Sequence, residues 1–270
     1  MIQGASFDHL AIAVERHADA WPRFVARLGG QWRSGGRTIG FAPAQLAFAR
    51  GARLEILEPN QPERNDFLRR FLDRSGPGPH HLTFKVADLD EAIAAVEAAG
   101  WPTMGHDRSD PGWQEAFIHP KAGPGIVIQL AQAADGEWTS PRPPDFPEAA
   151  PPPADLRAVA LAVPSLDNSL LLFEKSLGGT VIATGDEEQV DRARWAELEW
   201  SGPNRLRLLE PHPGGPLAAR LGDRAGRLDH ITFALGDPAA EPDAAAIAEG
   251  MWEVPPDSVC GIRIRLLVDR

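Results

Sequence analysis

The chain has few of the features that mark secreted or membrane-bound proteins. Its 270 residues include one cysteine, Cys260, which excludes an internal disulfide and lacks the partners of a structural zinc site. No apolar run approaches the roughly 20 residues that span a bilayer. Residues 1–8 contain no basic segment followed by an apolar stretch, so we expect no signal peptide. These absences predict a soluble, cytoplasmic protein.

An excess of positive charge is also lacking. The formal net charge is −11 and the pI is about 5.2. Binding to nucleic acid requires a basic face that neutralises phosphates, and anionic membranes also attract basic segments. We therefore expect neither partner. The composition, with 43% apolar and 24% charged residues, is that of a globular protein, and the length suits two domains.

The sequence is internally duplicated. Residues 7–14 (FDHLAIAV) are matched 149 positions later by residues 156–163 (LRAVALAV). Residues 54–59 (LEILEP) are matched 152 positions later by residues 206–211 (LRLLEP). The offset then returns to 149 or 150 for a set of four residues, Asp73, Arg74, Gly76 and His81, which recur as Asp223, Arg224, Gly226 and His230. Because several anchors keep nearly one offset, we infer a tandem repeat.

A proline-rich segment, residues 135–154, separates the two copies and lacks periodic apolar positions. Proline stiffens a chain and removes hydrogen-bond donors, so we expect a semi-extended linker. The sequence therefore predicts a first domain at 1–134, a linker at 135–154 and a second domain at 155–270.

Each half divides again into a strand, a helix and a short meander of strands. The first quarter has a strand at 7–14, a helix at about 18–28 and a hairpin of 46–49 with 54–57. The second quarter repeats this order, with a strand at 81–86, a helix from the Asp88 cap to Ala99, and a hairpin of 116–119 with 126–130. Four such quarters account for the chain.

This organisation resembles the vicinal-oxygen-chelate superfamily, which includes glyoxalase I, methylmalonyl-CoA epimerase, bleomycin-resistance proteins and extradiol dioxygenases. Residues 76–100 and 117–130 are similar to the epimerase branch in particular. The resemblance implies an α+β fold of four βαβββ units in two tandem domains. Each domain is expected to be a curled mixed sheet that forms a cup, as in the glyoxalase-like fold.

The resemblance also implies a metal site in the first domain. The family takes one ligand from the first and one from the last strand of each unit, which here gives His9, Glu55, His81 and Gln129. Each of these alone is more often a hydrogen-bonded core residue, but together they suit a first-row divalent ion. We expect one such ion (Zn, Ni, Co, Mn or Fe). Strand alternation turns His80 away from this site, and we expect His119 to lie in a loop.

The second domain departs from this pattern. The positions equivalent to the four ligands hold Ala158, Arg207, His230 and Arg265. Arginine offers donors and no lone pair, so we expect no metal there. Arg263 shares a face with Arg265, and Glu197 and Glu199 share a face on the preceding hairpin. We predict that these acids pair with the arginines and fill the second cup; the alternative is an anion site.

The resemblance implies Lewis-acid chemistry on a small substrate that chelates the metal through oxygen atoms. Extradiol dioxygenases have a carboxylate on the last strand, where this chain has Gln129, which argues against ring cleavage. We expect a metal-dependent lyase or isomerase of the glyoxalase/epimerase type, with its base unassigned. The alternatives are a non-catalytic small-molecule binding protein of the bleomycin-resistance type and a dioxygenase. The expected partner is a small-molecule substrate, and homodimerisation is left open.

Overall fold

The computed structural model describes Ile2 and residues 4–134, 139–147 and 151–269. Its strands and helices form four successive modules, each beginning with a long strand. The first module comprises β1 (Ser6–Ala13), α1 (His17–Phe24), β2 (Gln31–Gly35), β3 (Gly40–Ala47) and β4 (Arg53–Asn60). Helix α2 (Phe67–Ser75) leads to the second module, β5 (Gly78–Lys85), α3 (Leu89–Ala98), β6 (Thr103–Asp110), β7 (Trp113–Ile118) and β8 (Val127–Ala133).

The second half repeats this order. The third module comprises β9 (Asp155–Ala162), α4 (Leu166–Leu170) with a π-helical continuation (Leu171–Ser176), β10 (Thr180–Glu187), β11 (Ala193–Glu199) and β12 (Arg205–Pro211). Helix α5 (Pro216–Leu221) leads to the fourth module, β13 (Arg227–Leu235), β14 (Ala245–Ala248), β15 (Met251–Val254) and β16 (Arg263–Val268).

The strands form two eight-stranded mixed sheets, one from each half. Their orders are β2-β3-β4-β1-β5-β8-β7-β6 and β10-β11-β12-β9-β13-β16-β15-β14. The first and last strands of a module pair in parallel, as β1 does with β4, β5 with β8 and β9 with β12. The meander strands pair antiparallel, as β3 does with β4. The predicted α+β architecture of tandem βαβββ modules is confirmed.

Two local predictions need correction. The fourth module has a single 3-10 turn, Pro238–Ala240, where a helix was expected, because Gly236, Pro238 and Pro242 break any helix in this segment. Helix α1 ends at Phe24 and not at residue 28. Pro22 inside it has no N–H to donate, and the chain continues in wider turns, with Leu28 N bonded to Arg23 O at 3.0 Å.

The chain clusters into two compact units, each discontinuous in sequence. One comprises Met1–Asp8, His81–Asp135 and Ala158–His230, and the other His9–His80, Gly136–Arg157 and Ile231–Arg270. The sheets follow the predicted boundaries at 134 and 155, whereas the compact units combine parts of both halves. The domain boundaries therefore remain a prediction.

The unit that contains the second and third modules has an aromatic core. Phe7 stacks on Phe84 with 5.1 Å between ring centroids. Trp200 meets the Phe84 ring edge-on at 5.1 Å, and Phe173 lies 6.0 Å from it. Phe7, Phe84 and Phe173 are fully buried, so these rings form part of the core of this unit.

The other unit, which contains the first and fourth modules, also binds the described part of the linker. Trp32 Nε1 donates to the Ser140 carbonyl oxygen at 2.9 Å, and Gly35 N donates to Ser140 Oγ at 2.8 Å. Phe146 is buried and its ring contacts Trp21 and Trp32. Residues 139–147 form no helix or strand, as expected, but they are anchored to the first module. Residues 135–138 and 148–150 of the predicted linker lie outside the described residues.

Cys260 belongs to this unit, and the reactivity of its thiol reports on the packing around it. Burial, with a smaller effect of Asp19, raises the pKa of the Cys260 thiol to about 11, and Sγ lies 3.4 Å from the Asp19 carbonyl oxygen. At pH 8 we expect alkylation by iodoacetamide to be at least roughly a hundredfold slower than that of a free thiol, because the thiolate is the reactive form. Mass spectrometry of timed samples measures the rate, with urea-unfolded protein as the control. Equal rates in the two samples would refute the prediction.

None of the helices in the described part of the chain has the length and apolar character needed to cross a bilayer.

Candidate metal centre

Three side chains predicted as ligands lie close together in the first sheet. His9 on β1, Glu55 on β4 and His81 on β5 are all buried, and each offers a ligand atom within 4.8 Å of the others. His9 Nε2 lies 3.4 Å from Glu55 Oε2. The parallel pairing of β1 with β4 places Ala11 beside Glu55, one step along the strand face from His9.

The sheet face that carries His9 and Glu55 is closed at one end by an apolar cluster. Ala11, Ala13 and Leu57 lie on this face, and Leu68 and Leu72 of α2 pack onto them. The small side chains of β1 allow α2 to approach closely. A carboxylate beside such an apolar cluster is costly unless it is paired or binds a metal.

The three residues fit a divalent metal ion. Zinc binds imidazole nitrogen and carboxylate oxygen at about 2.0–2.2 Å, so two ligand atoms on one ion lie roughly 3.0–3.5 Å apart. The 3.4 Å between His9 Nε2 and Glu55 Oε2 falls in this range. Two imidazoles and one carboxylate are a common donor set for zinc and iron.

Gln129 is buried on β8 and its amide has two protein partners. Thr83 Oγ1 donates to Gln129 Oε1 at 2.5 Å, and Gln129 Nε2 donates to Glu115 Oε2 at 2.6 Å. Thr83 stands directly beside Gln129 in the parallel β5–β8 register. The amide oxygen has a second lone pair, so these contacts are compatible with the predicted fourth ligand. That role remains a prediction.

Two polar residues on the faces of the candidate ligands, Gln45 and Glu115, were not predicted from the sequence. Gln45 Nε2 lies 3.5 Å from His9 Nδ1 and donates to Glu55 Oε1 at 3.3 Å. Glu115 accepts from Gln129 and, at 2.8 Å, from Trp113 Nε1. The register of the β3–β4 hairpin would have indicated Gln45, because Gln45 stands directly opposite Glu55 in this pair.

Two histidines that the sequence predicted to lie outside the site, His80 and His119, have structural surroundings. The His80 ring packs against Phe71, with 4.8 Å between centroids, and Phe67, at 5.9 Å. Burial lowers the pKa of His80 to about 4, although the nearby Glu55 acts to raise it. His119 follows β7, and its Nδ1 accepts from Lys121 N at 3.1 Å. His80 is therefore a packed residue, and His119 lies in the predicted loop.

In the second half, the two arginines at ligand positions are held in ion pairs. Arg207 Nε donates to Glu197 Oε2 at 2.9 Å, as predicted. Arg265 Nε reaches Glu253 Oε2 at 3.4 Å, and Arg263 binds the same carboxylate. The predicted partner Glu199 instead pairs with Arg205, at 3.2 Å. The correction follows from register, because Glu253 stands opposite Arg265 as Glu197 does opposite Arg207.

His230, the counterpart of His81, belongs to a buried ionic cluster. Its Nδ1 lies 2.9 Å from Asp229 Oδ2. Arg220 Nε donates to Asp229 Oδ1 at 2.8 Å, and Arg220 Nη2 donates to Asp191 Oδ1 at 2.6 Å. Burial acts to raise the pKa of Asp229, but the hydrogen bonds from His230 and Arg220 outweigh it and hold that pKa far below its usual range. Asp191, Asp229 and His230 form a metal-compatible group by distance, yet Arg220 already supplies the positive charge.

Residues 8–117 match the family model described as the glyoxalase/bleomycin resistance protein/dioxygenase superfamily. This match lies within the first half of the chain and agrees with the resemblance to the vicinal-oxygen-chelate superfamily that its sequence shows. No curated protein sequence matches it.

Solved structures share the fold. A mutant of 4-hydroxymandelate synthase from Streptomyces coelicolor is 16% identical and covers 86% of this chain and 71% of its own, with a TM-score of 0.61. A hypothetical protein from Staphylococcus aureus is 10% identical over 98% of this chain and 100% of its own, with a TM-score of 0.59. Methylmalonyl-CoA epimerase from Mycobacterium tuberculosis is 27% identical over 48% of this chain and 89% of its own, with a TM-score of 0.43. At the identities of the first two, the likeness describes the fold alone.

Proposed function

We propose that the protein is a metal-dependent lyase or isomerase of the glyoxalase/epimerase type that acts on a small oxygen-chelating metabolite. The observation that carries the proposal is the buried group of His9, Glu55 and His81, whose ligand atoms lie within 4.8 Å of one another. Two imidazoles and a carboxylate at this spacing are the donor set that the superfamily resemblance implies. We expect Gln129 to complete the site.

Within this proposal, the metal supplies Lewis-acid stabilisation of negative charge that develops on a chelated substrate oxygen. The chain's own residues orient the ligands. Gln45 contacts both His9 and Glu55. Thr83 and Glu115 hold the two ends of the Gln129 amide. Such contacts fix side-chain orientation and adjust ligand basicity, so they support a preorganised site.

The experiment is solvent-deuterium exchange into a panel of 2-oxo acids, hemithioacetals and acyl-CoA thioesters, followed by NMR. We expect exchange with one class, lost on chelation and restored by a divalent metal. His81→Ala should abolish it, whereas His119→Ala, in the β7–β8 loop, should retain it. Specific binding of a panel member without exchange or turnover would instead support the non-catalytic binding protein.

A dioxygenase is the second candidate, and the composition of the site favours it. Two histidines and one carboxylate are also the donors of non-haem iron oxygenases. The carboxylate here lies on β4, and β8 presents Gln129, which is why we rank this activity second. An oxygen electrode distinguishes the two: iron-dependent oxygen consumption with a catechol or a 2-oxo acid would contradict the lyase or isomerase proposal.

Gln45→Ala tests whether the residues around the candidate ligands support metal binding. Because Gln45 contacts both His9 Nδ1 and Glu55 Oε1, we expect its loss to weaken metal affinity by about 10–100-fold. Competition with a chromophoric chelator measures the affinity. Gln132→Ala, on β8 but bonded through its side chain to Leu89 N, is the control. Wild-type affinity in Gln45→Ala would exclude this role.

A further inference from the structure

The first module has a cavity on the sheet face opposite His9. Its volume is about 210 Å³. By strand alternation, Ala42 on β3 and Glu58 on β4 point away from the face that carries Gln45 and Glu55. The side chains that decide its chemistry are two carboxylates and three rings, those of Glu58, Asp145, His17, Trp21 and Trp32. The cavity is therefore separate from the candidate metal centre.

The internal repeat shows which contacts of Glu58 are architectural. Glu58 and Glu210 are equivalent residues in the matched segments LEILEP and LRLLEP. Each carboxylate accepts from the first backbone N–H of the helix in its own module: His17 N lies 2.6 Å from Glu58 Oε2, and Leu166 N lies 2.6 Å from Glu210 Oε2. Because both halves have this bond, it holds the helix start and needs no ligand.

The two halves differ in what stands beside the carboxylate. In the third module, Arg194 lies directly opposite Glu210 in register, and its Nη2 reaches Glu210 Oε2 at 3.3 Å. In the first module, the residue opposite Glu58 is Ala42, which lines the cavity. The cavity therefore adjoins the position where the repeat has an arginine side chain.

The walls around this position have also changed in character. The first module has aromatic rings where the third has aliphatic side chains, since His17, Trp21 and Trp32 correspond to Leu166, Leu170 and Val181. The rings are held in place by one another: His17 stacks on Trp21 at 5.5 Å, and Phe146 contacts both tryptophans. Aromatic faces attract organic cations.

We propose that this cavity binds a small organic cation, a guanidinium or amine with a short apolar body. Its charged group takes the place beside Glu58 that Arg194 occupies beside Glu210, and its apolar part lies against the rings. The cavity lining also includes a second carboxylate, that of Asp145, and one guanidinium, that of Arg37. Arg37 Nη1 is directed to Asn60 Oδ1 at 3.4 Å, so the lining favours a positive ligand.

The competing explanation is that His17 replaces Arg194. His17 Nδ1 lies 3.6 Å from Glu58 Oε2, and Nε2 lies 2.9 Å from the Ala42 carbonyl oxygen. The imidazole thus contacts the carboxylate but leaves the cavity open. If the contact with His17 were enough to balance the charge of Glu58, the cavity would have no preference for a cation over a neutral molecule of the same shape.

Calorimetric titration of the full chain with butylguanidinium tests the proposal, with neutral butylurea as the matched probe. We expect saturable binding of butylguanidinium with a dissociation constant of about 1 mM, a range usual for so small a ligand, and at least tenfold weaker binding of butylurea. Higher salt should weaken the cation's binding. The same result is expected with metal present, with chelator and in His81→Ala, so failure here is distinct from failure of the proposed function.

Three variants locate the site. Ala42→Arg should abolish binding, because the chain's own guanidinium then pairs with Glu58. Glu58→Gln should weaken binding at least tenfold, and its amide oxygen still accepts from His17 N, which preserves the helix start. Glu210→Gln, the matched change in the repeat, should bind as the wild type does. No saturable binding, equal binding of butylurea, or unchanged binding in Glu58→Gln would each overturn the proposal.

Discussion

Replacing His81 with alanine is expected to remove the metal from the N-terminal site. Protein purified without chelators should contain about one equivalent of a divalent ion per chain, and His81→Ala should contain little. The physical reason is that His9, Glu55 and His81 together offer three ligand atoms within 4.8 Å, whereas two remaining ligands rarely retain an ion against a chelator. Elemental analysis by plasma mass spectrometry measures the content. Equal content in wild type and variant would refute the site.

We also expect His81→Ala to remove the effect of the metal on the stability of the protein. A metal that binds the folded state alone stabilises it by RT ln(1 + [M]/Kd), which is about 4 kcal/mol at a thousandfold excess over Kd. Chelation should therefore lower the melting temperature of the wild type and leave that of His81→Ala unchanged. His119→Ala is the control for a histidine of the same half and should respond as the wild type does. A chelator effect that persists in His81→Ala would assign the stabilising ion to another site.

The grouping of His9, Glu55 and His81 could be predicted from the sequence because each falls on the first or last strand of a module. Their role as metal ligands comes from the family resemblance and stays a prediction. Gln45 and Glu115 were missed because their positions depend on cross-strand register. Gln45 is opposite Glu55 only in the observed β3–β4 pairing. Register depends on where a hairpin turns, and the β3–β4 turn includes Arg50 at a φ of 60°, a left-handed conformation that its sequence did not indicate.

The ion pairs of the second half show the same limit. The positive charges of Arg207, Arg263 and Arg265 predicted that acidic partners lie nearby. The alternation of residues along the strands did not identify Glu253, which lies on the four-residue strand β15. Short strands have too few residues for alternation to be visible. The missing helix of the fourth module has a different cause, since Pro238 and Pro242 override the order inferred from the repeat.

Arg220→Met is expected to destabilise the protein by about 3–5 kcal/mol, the range for removing one partner of a buried ion pair. Arg220 donates to Asp229 and Asp191, whose side chains are 1% and 4% exposed. Without the guanidinium, two carboxylates remain buried near each other. Methionine preserves much of the side-chain volume. The decrease in the free energy of unfolding therefore reflects the lost charge more than lost packing. Urea unfolding at pH 7 measures the difference.

The pH dependence of this difference identifies its cause. In the wild type, the pKa of Asp229 lies far below that of an unfolded aspartate, so the stability that it contributes is present above about pH 4 and is lost at lower pH. In Arg220→Met, only the contact with His230 still opposes the effect of burial, so the pKa of Asp229 is higher than in the wild type. The wild type therefore loses more stability than the variant as the pH falls, and the variant's deficit relative to the wild type should shrink as the pH drops below about 4. Arg69→Met, which removes the exposed bidentate pair with Glu15 from α2, should destabilise the protein far less, because exposed ion pairs are screened by solvent. A deficit in Arg220→Met that is no larger than that of Arg69→Met, or that does not change with pH, would show that Arg220 acts through packing.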